Sequence, residues 1–375
     1  MSVKLFHTAD LHLGAGLSYL SEKATERRFE IVSVFKRLTQ FCVSQDINIC
    51  LIAGDLFDSN QSAGDIAPSV FEYIKSAPSV KFLYVAGNHD PLDAASYMNS
   101  AALPENLYVF GGEYEVREFP ELGVRIIGKS FVHSSMESGP FATVLPEDEL
   151  LNIMLLHADI GSDKNSPYNP IDRDFIENSG VDYLALGHIH KRTAPAKFGK
   201  TTFAYPGCPE GQGFDEEGVK GGYLVELDRD RCDISFVKLC RRVHRVASFD
   251  VSDATSSVGA AELIREKLEE NFGEKYADDL YRITLTGSIG RDVKLNVTEI
   301  KKLLCDDVYF IKLKDNTHTE YDLDSLKLEI SLKGIFTRKM LEKISAADER
   351  EKPLLESALY IGLSAFDSGV ALNED

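Results

Sequence analysis

Residues 82–90, FLYVAGNHD, run five apolar residues into a glycine and then three polar side chains. A run so short, apolar throughout and stopped by Gly, reads as a strand buried on both faces. Gly87 permits a tight turn, and Asn88, His89 and Asp90 follow at once. Two upstream strand runs also end at polar clusters, the second of them at a glycine. Val3–Ala9 is followed by Asp10 and His12 in TADLHLG, and Asn48–Ala53 by Gly54, Asp55 and Asp58 in AGDLFD. Helical patterns lie between the strands: Glu22–Ser44, with Phe29, Val32, Phe35 and Leu38 recurring, and about Asp65–Lys75. Strand, helix, strand, helix, strand at this spacing predicts a parallel α/β core.

Strands dominate from residue 107 onward: Leu107–Phe110, Glu113–Phe119, Val124–Gly128, Ile153–His157, Tyr183–Gly187, Thr201–Ala204, Gly222–Leu227 and Ile234–Leu239. Two helical patterns intervene, at about Glu147–Leu151 and Asp172–Asn178. Two of these strands end as the first three do, one at His157 in MLLHAD and one at His188 and His190 in LGHIH.

A DxH or HxH alone is weak, and a single His at a strand end is more often structural. Five such clusters in one chain form a stronger pattern. Ligands of open α/β sheets bind beyond the carboxyl ends of the strands, so the clusters can converge on one edge. The donors are N and O atoms with no thiolate, which favours Mn, Fe, Zn or Mg. Their number suffices for two ions, the arrangement suited to in-line displacement at phosphorus, and Asp55 is the best placed carboxylate to bridge them. His7, His133, His244 and His318 fall outside the clusters and read as structural.

At 375 residues the chain holds two or three domains. Its six cysteines, Cys42, Cys50, Cys208, Cys232, Cys240 and Cys305, show no CxxC spacing, so a thiolate zinc site is not expected. The N-terminus lacks a basic region and apolar stretch, and no apolar run could span a bilayer; a cytoplasmic protein without membrane contact is expected. The net charge of −19 excludes broad electrostatic coating of nucleic acid but not a nucleic-acid substrate. Residues 191–200 hold Lys191, Arg192, Lys197 and Lys200 without an acid. Lying directly after His188 and His190, they read equally as phosphate-backbone contacts or as a solvated hairpin. Arg241, Arg242 and Arg245 form a second basic group, expected to pair with a more acidic second domain.

The series DxH, GDxxD, GNHD, H, GHxH resembles the signature of the calcineurin-like metallophosphoesterases over about residues 1–240. The fuller strings TADLHLGA, AGDLFD, AGNHD, LGHIH and AYPG with Glu210 resemble the SbcD-type, YhaO-like branch of DNA repair exonucleases and its double-strand-break repair counterparts. The resemblance implies a four-layer α/β/β/α sandwich with a small C-terminal α/β capping domain. It implies one metal on Asp10, His12, Asp55 and His190 and a second on Asp55, Asn88, His157 and His188, with manganese the usual ion. The nucleophile would be a water between them. His89 would stabilise the transition state or protonate the leaving 3′-oxygen, and Asp58 would orient His89 or anchor its loop. The branch's YPG-Ser is here YPG followed by Cys208.

The expected domains are a nuclease domain over 1–248, a capping domain over 258–333 and C-terminal helices over 334–375, with a linker near Phe249–Ser257. Capping-domain strands are expected at Leu280–Thr286, Val308–Leu313 and Lys327–Leu332. The apolar residues Met340, Leu341, Ile344, Leu355, Leu359 and Leu363 could dock onto an SMC-like coiled-coil ATPase, as the resemblance implies, or cover the protein's own second domain. Homodimerisation through the nuclease-domain helices is likewise implied. The leading expectation is a metal-dependent DNA exonuclease with single-strand endonuclease activity, acting in double-strand-break repair. The alternatives are a phosphodiesterase on a small nucleotide and a non-catalytic scaffold of the same fold.

Overall fold

The computed structural model describes residues 2–137, 145–146, 148–161 and 166–368. The chain divides into two compact units, Met1–His244 and Arg245–Asp375.

The first unit runs β1 (Val3–Thr8), α1 (Ala24–Ser44), β2 (Ile49–Ala53), α2 (Asn60–Lys75), β3 (Lys81–Val85), a turn of helix α3 (Tyr97–Ser100), β4 (Leu107–Val109), β5 (Glu115–Phe119), β6 (Val124–Lys129) and β7 (Leu151–His157). It continues with the short β8 (Asp159–Ile160) and β9 (Pro170–Ile171), α4 (Arg173–Asn178), β10 (Tyr183–Gly187), β11 (Ala196–Phe198), β12 (Thr201–Ala204), β13 (Gly221–Leu227) and β14 (Cys232–Lys238). Two six-stranded sheets result, ordered β14-β13-β1-β2-β3-β4 and β11-β12-β10-β7-β6-β5. Between them lies a core that includes Leu5, Leu51, Leu83, Ile126, Ile153 and Tyr183, all buried. With α1 and α2 on one side and α4 on the other, the unit is the expected α/β/β/α sandwich.

Two helical readings need correction. The α1 face that packs inward is Ile31, Val34, Phe35, Leu38 and Cys42, while Phe29 is 72% exposed. Steps of three residues turn about 300° each, so the series 29, 32, 35, 38 drifts round the helix instead of holding one face. The helix expected at about 147–151 includes Glu147, which lies outside the described residues; Asp148–Leu150 are not helical and Leu151 opens β7. The polar flanks form a turn, and the apolar residues belong to the strand.

The second unit runs β15 (His244–Asp250, whose first residue still belongs to the first unit), α5 (Ser257–Phe272), β16 (Leu280–Thr286), β17 (Ser288–Ile289), α6 (Val297–Leu304), β18 (Phe310–Asp315), β19 (His318–Thr319), α7 (Leu323–Leu326), α8 (Leu332–Ala346) and α9 (Lys352–Ser368). Its main sheet is ordered β15-β16-β18. The third strand is thus β15, not Lys327–Leu332. The alternating Leu328, Ile330 and Leu332 are 77%, 104% and 76% exposed and lead into α8. Alternation marks a strand only where one face is covered. Phe249, Val251 and Ala254, in the stretch expected to be a linker, are buried in this unit's core with Ile264, Tyr281 and Ile283. The apolar residues of α8 and α9 pack on Tyr321 and Leu326, burying Leu359 and Leu363.

Candidate metal centre

The two sheets approach closely at the carboxyl ends of their strands. A Cβ built on Gly187, the last residue of β10, would lie 1.7 Å from the Ala53 carbonyl oxygen at the end of β2. Polar groups that follow β1, β2 and β3 therefore meet those that follow β7 and β10. The backbone bends sharply there: Asp10, His12, Asp55 and His188 have φ of 53°, 42°, 49° and 104°. Non-glycine residues enter this region at a cost, and such strain collects at functional sites. Backbone bonds hold the turns, with Asp10 N–H donating to Gly54 at 3.1 Å and His12 N–H to Asp55 at 3.0 Å.

Asp55 Oδ2 lies 3.5 Å from His12 Nε2 and 3.4 Å from His157 Nε2. It thus lies between ring nitrogens from both sheets. Its Oδ1 accepts the His89 N–H at 3.0 Å, and Gly87 gives it room: a Cβ there would be 2.1 Å from Oδ1. Asp10 Oδ1 accepts the His188 N–H at 2.9 Å, while its buried Oδ2 has no hydrogen-bond partner among the described residues. His157 Nδ1 donates to the Ala53 carbonyl at 2.9 Å, which leaves Nε2 as a lone pair, 3.0 Å from Asn88 Oδ1. The His12 and His190 Nε2 atoms stand 3.0 Å apart. Two ligands about 2.1 Å from one ion, at a right angle, take that spacing.

Among the described residues, three sets of donors lie close enough to share an ion: Asp10, His12 and His190; His12, Asp55 and His89; and Asp10, Asp55 and His157. The site concentrates negative potential. Burial alone would lower the pKa of His12, but Asp58, Asp55 and Asp10 push it up to about 9. An orphaned carboxylate oxygen, facing lone pairs and a field that gathers positive charge fit divalent cations bound by N and O donors.

His188 lies to one side, its ring 5.2 Å from that of His157 and 4.7 Å from that of Tyr168. Burial and then His157 lower its pKa to about 4. His89 is exposed, its ring 4.6 Å from that of His12. Its Nδ1 donates to the Asp58 main-chain carbonyl at 3.2 Å, whereas the Asp58 carboxylate faces His12 at 3.7 Å. The link from Asp58 to His89 thus runs through the backbone. Asp90, buried, accepts from Gly87 N–H and Phe57 N–H at 2.9 Å each and ties the two turns together.

Of the basic strip, Arg192 lies over the Phe236 ring, 3.8 Å from its centroid, and Lys200 pairs with Asp182 at 3.0 Å. Lys191 and Lys197 are exposed. Arg241 and Arg242 pair within the first unit, with Glu30 at 3.1 and 2.7 Å, and Arg245 pairs with Asp279 at 2.7 Å. Cys208 is buried beside the His190 carbonyl, and burial raises its thiol pKa. Sequence reading missed Gln212 and Glu216. Gln212 Nε2 donates to the Leu11 and His12 carbonyls at 3.0 and 3.1 Å, and Glu216 receives the His190 Nδ1–H.

The model of the family described as calcineurin-like phosphoesterase matches residues 3–192. The chain is similar to a Bacillus subtilis (strain 168) protein named uncharacterized metallophosphoesterase YhaO, with 28% identity over 295 residues, 75% of this chain and 71% of that one. It is also similar to the DNA double-strand break repair protein Mre11 of Saccharolobus solfataricus, with 24% identity over 345 residues, 85% of this chain and 84% of that one. Among solved structures, a dimetal phosphatase from Danio rerio matches at 12% identity and a TM-score of 0.42, over 63% of this chain and 96% of that one. With half its length under the family's model, this chain belongs to the calcineurin-like phosphoesterases and is a metal-dependent hydrolase.

Proposed function

We propose that the protein is a cytoplasmic two-metal nuclease that hydrolyses DNA phosphodiesters, as an exonuclease with single-strand endonuclease activity in double-strand-break repair. The observation that carries the reading is Asp55 Oδ2, within 3.5 Å of ring nitrogens from both sheets. The similarity to Mre11 along most of both chains favours DNA over a small nucleotide.

In this reading Asp10, His12, Asp55 and His190 hold one ion, and Asp55, Asn88, His157 and His188 hold the other. Manganese is the expected ion at both. Bound there, the ions would activate water and neutralise charge on the phosphate. The chain's own residues do the rest. Asp55 receives the His89 amide on the oxygen turned away from the histidines, which fixes the start of the Asn88–His89 turn. The Asp58 carbonyl accepts a hydrogen bond from His89 Nδ1–H, so that Nε2 is the ring nitrogen left to face substrate. In its doubly protonated form His89 would give its Nε2 proton to the leaving 3′-oxygen and be left neutral, or would steady the charge that builds on the phosphate. Lys191, Arg192, Lys197 and Lys200 would meet the DNA backbone.

The test is cleavage of end-labelled single- and double-stranded DNA with manganese, wild type beside His89→Ala. Manganese-dependent cleavage that falls about 10²–10⁴-fold in the variant supports the reading. Hydrolysis of cyclic nucleotides without cleavage of any DNA would replace the substrate class.

Two partner proposals follow. Residues 334–375 would dock an SMC-like coiled-coil ATPase, since Ile335, Leu354 and Ile361 stay 43%, 73% and 60% exposed beside the helix pair's own small core. Truncation would strip Leu359 and Leu363 from Tyr321, so Leu354→Glu is the cleaner probe. Loss of ATPase binding with an unchanged melting temperature is the expected result. The exposed Phe29 on α1 fits a homodimer surface, which Phe29→Glu should dissociate in sedimentation.

A further inference from the structure

Glu216 lies in the loop between β12 and β13, in a run of acids (Asp215, Glu216, Glu217) that looks like ordinary solvated sequence. It is not solvated: 9% of its surface is exposed. Oε1 receives the His190 Nδ1–H, and Oε2 receives the Gln212 N–H at 2.6 Å. Both oxygens are therefore committed, one to a ring and one to the loop that carries the ring's partner. Gln212 in turn donates its side-chain amide to the carbonyls of Leu11 and His12. One loop thus holds His190 from behind and His12 by its backbone. The His157 ring is supported differently, by a neutral main-chain carbonyl.

We infer that Glu216 is a positioning residue for the metal centre: it fixes the His190 ring with Nε2 toward Asp10 and His12 and makes that nitrogen the stronger donor, and Gln212 sets the distance between the two histidines. A ring nitrogen bonded to a carboxylate is a better ligand than one bonded to a carbonyl, because the anion supports the charge drawn off the ring by a cation. Glu216 is suited to this task. Both its oxygens face donors, the His190 ring and the Gln212 amide, so the carboxylate is held in place against Nδ1. The inference rests on the proposed ligand set and adds an inequality to it. Loss of Glu216 weakens the ion held through His190 and spares the ion held through His157.

The experiment is calorimetric titration of the full chain, stripped by chelator, with manganese alone. Wild type, Glu216→Gln, Glu216→Ala and His190→Ala are compared, each with the melting temperature of the stripped protein. Wild type should take up two ions. Glu216→Ala should weaken one of them about 10–100-fold and leave the other unchanged. Glu216→Gln, which keeps an acceptor for Nδ1–H but not the charge, should fall between; being nearly isosteric, it carries the test should the alanine variant fail to fold. His190→Ala should abolish the same event that Glu216→Ala weakens. Two unchanged binding events in both Glu216 variants would overturn the inference, as would equal weakening of both events in step with a lower melting temperature. No manganese uptake by wild type would instead overturn the ligand set beneath it.

Discussion

At the scale of single residues, Asp55 and His89 separate two roles that lie within one hydrogen bond of each other. Asp55 faces His12 and His157 with one oxygen and the His89 amide with the other. Asp55→Asn keeps the size and removes the charge, so manganese uptake at both positions and hydrolysis should fall together. His89 reaches the site from an exposed turn and belongs to one of the three donor sets, with His12 and Asp55. In His89→Ala, kcat should drop about 10²–10⁴-fold with both ions still bound. Metal analysis beside kinetics checks both, and loss of metal from His89→Ala would make His89 a ligand. These residues were legible in the sequence because each follows a short apolar run, so strand ends and polar clusters marked each other. Glu216 was not legible: its chain neighbours are also acidic, and only the folded loop shows that one of the three turns inward. The left-handed backbone at Asp10, His12 and His188 was equally hidden, since no glycine stands there.

At the scale of elements, a close approach between the two sheets sets the centre, and Gly187 permits it. Besides the Ala53 carbonyl, its missing Cβ would meet Ala9 Cβ at 2.9 Å. Gly187→Ala must therefore push β10 from β1 and β2 or bend all three, at a cost of about 3 kcal/mol or more. Reduced melting temperature together with lost manganese uptake is expected, because His188 and His190 move with β10. An unchanged melting temperature would show that the sheets separate easily. The ion network on α1 is a second device at this scale. Glu30 is surrounded by Arg27, Arg241 and Arg242, and Arg27 also pairs with Glu210 at 2.6 Å. Burial would raise the Glu30 pKa, but Arg242 and then Arg27 hold it below its ordinary 4.5. A lowered folded-state pKa contributes stability that is complete above the unfolded value and is lost as pH falls through the folded one. Removing one partner of a buried network costs about 3 kcal/mol. Glu30→Gln should therefore melt well below wild type at pH 7, with the gap closing below about pH 4.5; a constant gap down to pH 3 would assign the loss to packing. The network's partners come from sequence positions some 180 and 210 residues apart, and so were assigned in the sequence to another domain. The same limit explains β15: HRVASFD is too polar to stand out, while the exposed KLEISL alternates as a strand would.

At the scale of the whole molecule, the proposed DNA substrate would be a polyanion approached against the field of a chain of net charge −19. The strip at 191–200 compensates for little of this. Lys197 is level with Tyr183 through Thr202 and Lys200 pairs with Asp182, so both lie at the amino end of β10, away from the centre, which leaves the exposed Lys191 and Arg192, next to His190 in the chain, as the strip's cations near it. Two phosphate contacts give a slope of log affinity against log salt of about −2 on duplex DNA. In the proposed reading most of the attraction would then come from two bound cations, which salt would not release as it releases counterions. Binding of labelled duplex by the His89→Ala variant with manganese should accordingly weaken only modestly between 50 and 200 mM salt, by about tenfold or slightly more. A chelator at constant salt should abolish it. Fluorescence anisotropy across the two series measures both effects on one sample. A slope steeper than about −5, or binding that survives the chelator, would move the contact to a basic surface elsewhere on the chain and leave the metal centre with the chemistry alone.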